Sequence, residues 1–203
     1  MRKFRIIFTQ SQFDGKFLDN GISGWTWLIN LGFKRKHKIP WSVYNALRSA
    51  HVEVWTPGYL GNFEDGLYYN RTFAYLGKCW TSTLQGENDG VCVRPASEVL
   101  SNPKGIFYTE FSVNDLDYED MIADMEKDVE NNQGYEKKLI KRYFGLEVED
   151  SPDHYICSEF VSEKLMRAGI FIGSVNPSPF RIALELWLKG QAFYDLATGR
   201  KLT

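Results

Sequence analysis

Three side-chain types in this chain are placed where they can do covalent chemistry: a thiol, an imidazole and a carboxylate. Cys157 lies near the start of YICSEFVSEKLMRAG, Tyr155 to Gly169. Cys157, Phe160, Val161, Lys164, Leu165 and Ala168 recur at helical spacing, so the stretch predicts an amphipathic helix with Gly169 as its stop. That puts the thiol on the inward face of the first turn. A helix N-terminus carries about half a positive charge and unpaired N–H groups. A thiol there ionises more easily, and the same N–H groups can hold an oxyanion. Asp153, just upstream, is the candidate N-cap. The competing reading is structural, because an unreactive cysteine behaves as a small buried hydrophobe. Cys79 and Cys92, in β-prone stretches with no activating neighbour, are read that way.

A reactive thiol needs a base, and there are three histidines. His37 lies in the basic run KRKHK, read as a solvated loop. His154 precedes Cys157 by three residues, at or before the helix start, and is expected to point elsewhere. His51 is the stronger candidate. It sits in AHVEVW, where Ala50, Val52 and Val54 alternate with His51, Glu53 and Trp55, a strand pattern closed by Pro57-Gly58. On one strand face the Cβ atoms of His51 and Glu53 are about 6.5–7 Å apart, a gap that a glutamate closes to orient an imidazole. The plain alternative is a solvated strand face with an incidental ion pair.

The elements that must position these groups follow from patterning. MRKFRIIFTQSQF predicts a strand with Phe4, Ile6 and Phe8 on one face. A short helix is expected within the stretch from Gly15 to Phe33, and IPWSVYNALRS is ambiguous. YLGNFEDGLYYNRTF reads as loop. KCWTSTL, VCVRP and GIFYTEFSV read as strands, with GENDG as a turn. LDYEDMIADMEKDVENNQ is a helix with Met121, Ile122, Met125 and Val129 as its apolar stripe. KKLIKRYFGL is a second, shorter helix candidate, and PFRIALELWLKG a last helix with Pro179 near its start. No repeat or linker divides the 203 residues, so one domain, 1–203, of α+β class is expected, with strands in the middle and helices packed on one side.

Composition narrows the function classes. With 43% hydrophobic and 25% charged residues the chain is a core-forming protein rather than a disordered one. A net charge of −2 supplies no basic footprint for nucleic acid or an anionic membrane. No apolar run approaches the roughly 20 residues that span a bilayer, and no signal peptide is recognised, which predicts cytoplasmic synthesis with reduced thiols. Neither a phosphate-binding glycine loop nor a zinc-ligand spacing occurs, so no cofactor and no metal are expected. Asn88-Asp89-Gly90 is explained by a hairpin turn without calcium. Trp25, Trp27 and Trp55 are candidates to line a groove, with core packing the default for each.

Taken in order, SAHVEVW, KCWTSTL…GENDGVCVRP and YICSEFVSEKLMRAG resemble a circularly permuted papain-like cysteine hydrolase. These are relatives of NlpC-type cell-wall peptidases, including YiiX/YaeF-like amidases and similar tailed-phage proteins. The match runs from about Ile22 to Phe180 if NQGYEKKLIKRYFG and NPSPFRIALEL are its weaker parts. A histidine strand preceding the cysteine helix reverses the papain order without harm, since such sites are defined by geometry. The resemblance implies a central antiparallel sheet, Cys157 as nucleophile and His51 as general base. In many relatives a polar residue on the strand after the histidine orients the ring. Here that strand offers Thr81, Ser82 and Thr83 but no carboxylate, so Glu53 is the first choice for the third member and Ser82 the second. The implied reaction is cleavage of an amide bond in a peptidoglycan peptide or a protein. A thioesterase or acyltransferase uses the same Cys–His pair, and a third reading is a dormant phage or cell-surface structural protein. A phage origin would imply association with the virion. Oligomeric state is not readable from the sequence.

Overall fold

The computed structural model describes residues 1–10, 31–32, 34–35, 38–57, 77–85, 88–135, 154–173 and 177–202. In chain order the elements are β1 (Arg2–Gln10), α1 (Trp41–Leu47), β2 (Ser49–Thr56), β3 (Lys78–Gln85), β4 (Asn88–Pro95), α2 (Ala96–Val99), β5 (Ile106–Val113), α3 (Asp115–Glu130), β6 (Gly134–Tyr135), β7 (His154–Tyr155), α4 (Cys157–Arg167), α5 (Pro179–Leu188) and β8 (Tyr194–Asp195). Six strands form one sheet in the order β4-β3-β2-β1-β5-β8, and every pair in it is antiparallel. β6 and β7 make a separate parallel pair. The protein is therefore α+β, with helices packed on a mostly antiparallel sheet.

Period-two alternation decides what each sheet face carries. Phe4, Ile6 and Phe8 of β1, Val52 and Val54 of β2 and Trp80 of β3 join Phe160, Val161 and Leu165 of α4 and Phe180, Ile182 and Ala183 of α5 in the main core. Each such buried Val, Leu, Ile or Phe side chain contributes about 1.5–3 kcal/mol relative to its exposed state. The opposite face is not solvated. Ile7, Trp55, Cys79, Ala96, Leu100, Tyr108 and Leu196 form a second core there. The alternation in AHVEVW thus separates two interiors rather than inside from outside. Trp55 is fully buried in the second core, with the Arg5 guanidinium stacked over its ring at 4.8 Å, so it lines no groove.

Several sequence expectations meet a different local structure. IPWSVYNALRS contains α1, with Val43, Tyr44 and Leu47 buried. Asn88, Asp89 and Gly90 open β4 opposite Gln85, Leu84 and Thr83, while Gly86 and Glu87 of the expected GENDG turn lie outside the described residues. The helix of Met121 and Met125 is α3, started by Asn114, whose side chain accepts from the Asp117 N–H. α5 begins as expected, with Ser178 as N-cap and Pro179 in its first turn. Trp25, Trp27, His37, the YLGNFEDGLYYNRTF stretch (59–73), KKLIKRYFGL (137–146) and Asp153 lie outside the described residues.

The feature of the sheet that matters for the site is an interrupted ladder. β2 pairs with β3 only where Val54, Trp55 and Thr56 meet Trp80, Cys79 and Lys78. Beyond those pairs the Thr81 hydroxyl bonds the Val52 carbonyl at 3.2 Å, taking the place of a ladder bond. On the other side of β2 the register slips: Thr9 is opposite His51 but Gln10 is opposite Ser49. Such bulges re-aim the neighbouring side chain. His51 sits just beyond this one, where β2 and β3 part.

Candidate active site

Cys157 is the first residue of α4, with Ile156 as N-cap in extended backbone. Within the first turn the Ile156 N–H donates to Glu159 Oε2 at 3.4 Å. The first intrahelical bond runs from Phe160 N–H to the Ile156 carbonyl. The Cys157 amide precedes it and is not consumed by the helix. At the far end, Gly169 has φ +73°, the left-handed stop anticipated for it. The approach to α4 is pinned to the sheet, because Ser82 Oγ donates to the Tyr155 carbonyl at 2.8 Å. Ser82 therefore seats the helix. Thr83 is buried opposite Gly90, one strand repeat beyond Thr81.

The Cys157 thiol lies against the His51 imidazole, 106 positions away in sequence, close enough to act on its charge. The imidazole has two further partners. His51 Nε2 lies 3.2 Å from Glu53 Oε1 and 3.3 Å from Thr81 Oγ1. The Thr81 hydroxyl has one proton, and the carbonyls of Val52 and Ser82 both lie within its reach. Toward His51 it is consequently an acceptor. Two acceptors at Nε2 fix the proton there, which leaves Nδ1 as the nitrogen that can exchange a proton with the thiol. Glu53 also accepts from Arg94 Nη2, at 2.9 Å through the same Oε1.

Electrostatics follow this geometry. Burial by itself would lower the His51 pKa. The charge and hydrogen bond of Cys157, followed by those of Glu53, outweigh it and push the value up to about 10. Burial alone would raise Glu53, but the contacts with His51 and Arg94 hold it below its ordinary value. At the two other thiols the Arg94 guanidinium only partly counters burial. Burial, then the nearby Glu53 charge, pushes Cys79 up, and burial also raises Cys92.

The structure thus gathers Cys157, His51, Glu53 and Thr81 in one place. His154 is exposed, and its ring lies over Gly134, where a Cβ would come within 2.6 Å of it. Two residues were not singled out from the sequence. Arg94 reaches Glu53 from β4, two strands away; its sequence signal was a cation next to the apolar run Val91-Cys92-Val93. Tyr135, beside Tyr155 in the β6–β7 pair, has its phenol pushed up by burial and then by the charges of Cys157 and Glu159. It stands near the N-terminus of α4 as a neutral donor. Among the described residues there is no cluster of ligands that could hold a metal ion, and no helix is long and apolar enough to cross a membrane. Compared with models of known protein families the chain matches none, and a comparison with curated proteins likewise finds no match.

Proposed function

We propose that the protein is a cysteine hydrolase with a permuted papain-like fold, using Cys157, His51 and Glu53. The observation that carries this reading is the imidazole held between a thiol at a helix N-terminus and a buried carboxylate. The Cys157 thiol passes its proton to His51 Nδ1, leaving a thiolate beside an imidazolium. The sulfur attacks a substrate carbonyl, and the carbonyl electron pair moves onto oxygen, where the Cys157 N–H stabilises it. When the tetrahedral species collapses, His51 Nδ1–H gives its proton to the leaving nitrogen and the C–N bond breaks. The neutral ring then takes a proton from water as the water attacks the thioester, releasing the acid and restoring the thiol pair. Glu53 and Thr81 hold the ring throughout by accepting from Nε2–H. The sequence resemblance favours an amide in a cell-wall peptide or a protein as the bond cleaved.

One observation favours a dormant structural role: Cys157 is only 5% exposed, and His51 27%. Substoichiometric iodoacetamide near neutral pH separates the two readings. An activated site alkylates at Cys157 ahead of Cys79 and Cys92, and Cys157→Ala abolishes hydrolysis of responsive peptide or cell-wall substrates while the fold is kept. His51→Ala lowers the rate by about a hundredfold or more, the usual scale of a lost general base. Labelling of Cys157 no faster than Cys92, or hydrolysis surviving Cys157→Ala, refutes the hydrolase.

A further inference from the structure

The Glu53 carboxylate has a second cation whose presence the acyl-transfer scheme alone does not explain. Glu53 is 4% exposed, and its Oε1 is shared between His51 Nε2 and Arg94 Nη2. The nearby Cys79 thiol, buried and neutral, offers no counter-charge. His51 is a temporary counter-charge, since it hands its Nδ1 proton to the leaving group. A guanidinium is permanent, because it does not deprotonate in proteins.

A buried carboxylate facing an imidazolium can neutralise the pair internally. The Nε2 proton crosses to Oε1, leaving a carboxylic acid and a ring protonated only at Nδ1. That ring cannot take a proton from the Cys157 thiol or from water, because Nδ1 already carries one. The opposite arrangement, carboxylate and Nε2–H, leaves Nδ1 available after each proton transfer. What selects between them is the charge next to Glu53, since a cation at 2.9 Å favours the anion over the acid.

We propose that Arg94 is a positioning residue of this site: its guanidinium keeps Glu53 a carboxylate and thereby keeps the second ring proton of His51 on Nε2. The inference deepens the Cys157–His51 reading and rests on it. Arg94 touches no reacting atom and acts through Glu53. The site is accordingly a four-member relay, Cys157–His51–Glu53–Arg94, built from α4, β2 and β4.

The test reads the ring directly, with no substrate. Chains with ¹⁵N-labelled histidine are followed by long-range ¹H–¹⁵N spectra against pH, in the native chain and with Cys157→Ala. In the Cys157→Ala chain the neutral His51 ring is expected as the Nε2–H tautomer. Adding Arg94→Gln, which keeps a hydrogen-bond donor without the charge, shifts the ratio toward Nδ1–H by about tenfold or more, the scale of a lost charge-assisted contact. Arg94→Lys retains Nε2–H. On a Glu53→Gln background, Arg94→Gln causes no further change. Arg94→Met carries the same test if Arg94→Gln fails to fold.

An unchanged tautomer ratio in a folded Arg94→Gln chain overturns the proposal, as does an equal shift in the Glu53→Gln background. Those results leave the thiol–imidazole pair standing. A His51 titration that is identical with and without Cys157→Ala instead removes the pair, and the Arg94 proposal with it.

Discussion

His51 keeps its charge because of what surrounds it, and this has a consequence for stability. Its ordinary pKa of 6.5 rises to about 10 in the folded chain. A group raised on folding contributes stability that is complete below its unfolded value and is lost as pH rises through its folded value. His51→Gln should therefore cost most stability near about pH 6 and nearly none by about pH 11, as measured by urea unfolding across that range. Glu53 has the opposite sign. Its pKa is lowered, so its contribution is present above the unfolded value and fades as pH falls through the lower folded one. At this scale the pairing of His51 with Glu53 was readable in advance, because a period of two fixes which side chains share a strand face. Arg94 was not, since its approach depends on a register running through β3: Trp55 opposite Cys79, and Cys79 opposite Arg94.

At the scale of elements, the question is what holds α4 against the sheet. Its apolar stripe does most of this, with Phe160, Val161 and Leu165 fully buried. A polar clamp adds orientation. Lys164, on the same face and 0% exposed, is paired to Asp124 and Asp128 of α3 and lies 3.6 Å from Glu163. Burial pushes the Asp128 carboxyl up, and Lys164 only partly counters it. Removing one partner of a buried pair leaves the other charge uncompensated. Lys164→Met should destabilise the fold by about 3 kcal/mol or more at neutral pH. The deficit should shrink in acid, where the orphaned carboxyls neutralise, as urea titrations at both pH values will show. Helical spacing placed Lys164 on the inner face from the sequence alone. Its acidic partners come from a helix ending 34 residues before Lys164, a juxtaposition that no local pattern encodes.

For the molecule as a whole, the small β6–β7 pair must be fixed to the large sheet, because it leads directly into Cys157. One join is at Gly90, where φ is +134° and the Val91 N–H donates to the Gln133 carbonyl at 2.8 Å. A Cβ on Gly90 would fall 2.2 Å from that carbonyl oxygen. Gly90→Ala is thus expected to cost about 2 kcal/mol or more, by strain and by clash together. A thermal melt will measure the loss, and iodoacetamide labelling will show whether Cys157 changes its reactivity with it. The one-dimensional pattern determined the strands, the amphipathic helices and the thiol at a helix start, because period-two and period-3.6 burial and stop signals such as Gly169 are local properties of the chain. It also put an imidazole and a carboxylate on one strand face. Tertiary structure decided that the polar face of β2 is buried, that β2 and β3 part beside His51, and that Ser82 seats the helix while Thr81 and Glu53 hold the ring. The physical reason is that strand order, register and helix docking are set by contacts between segments far apart in the chain. Such contacts form only when the whole core closes.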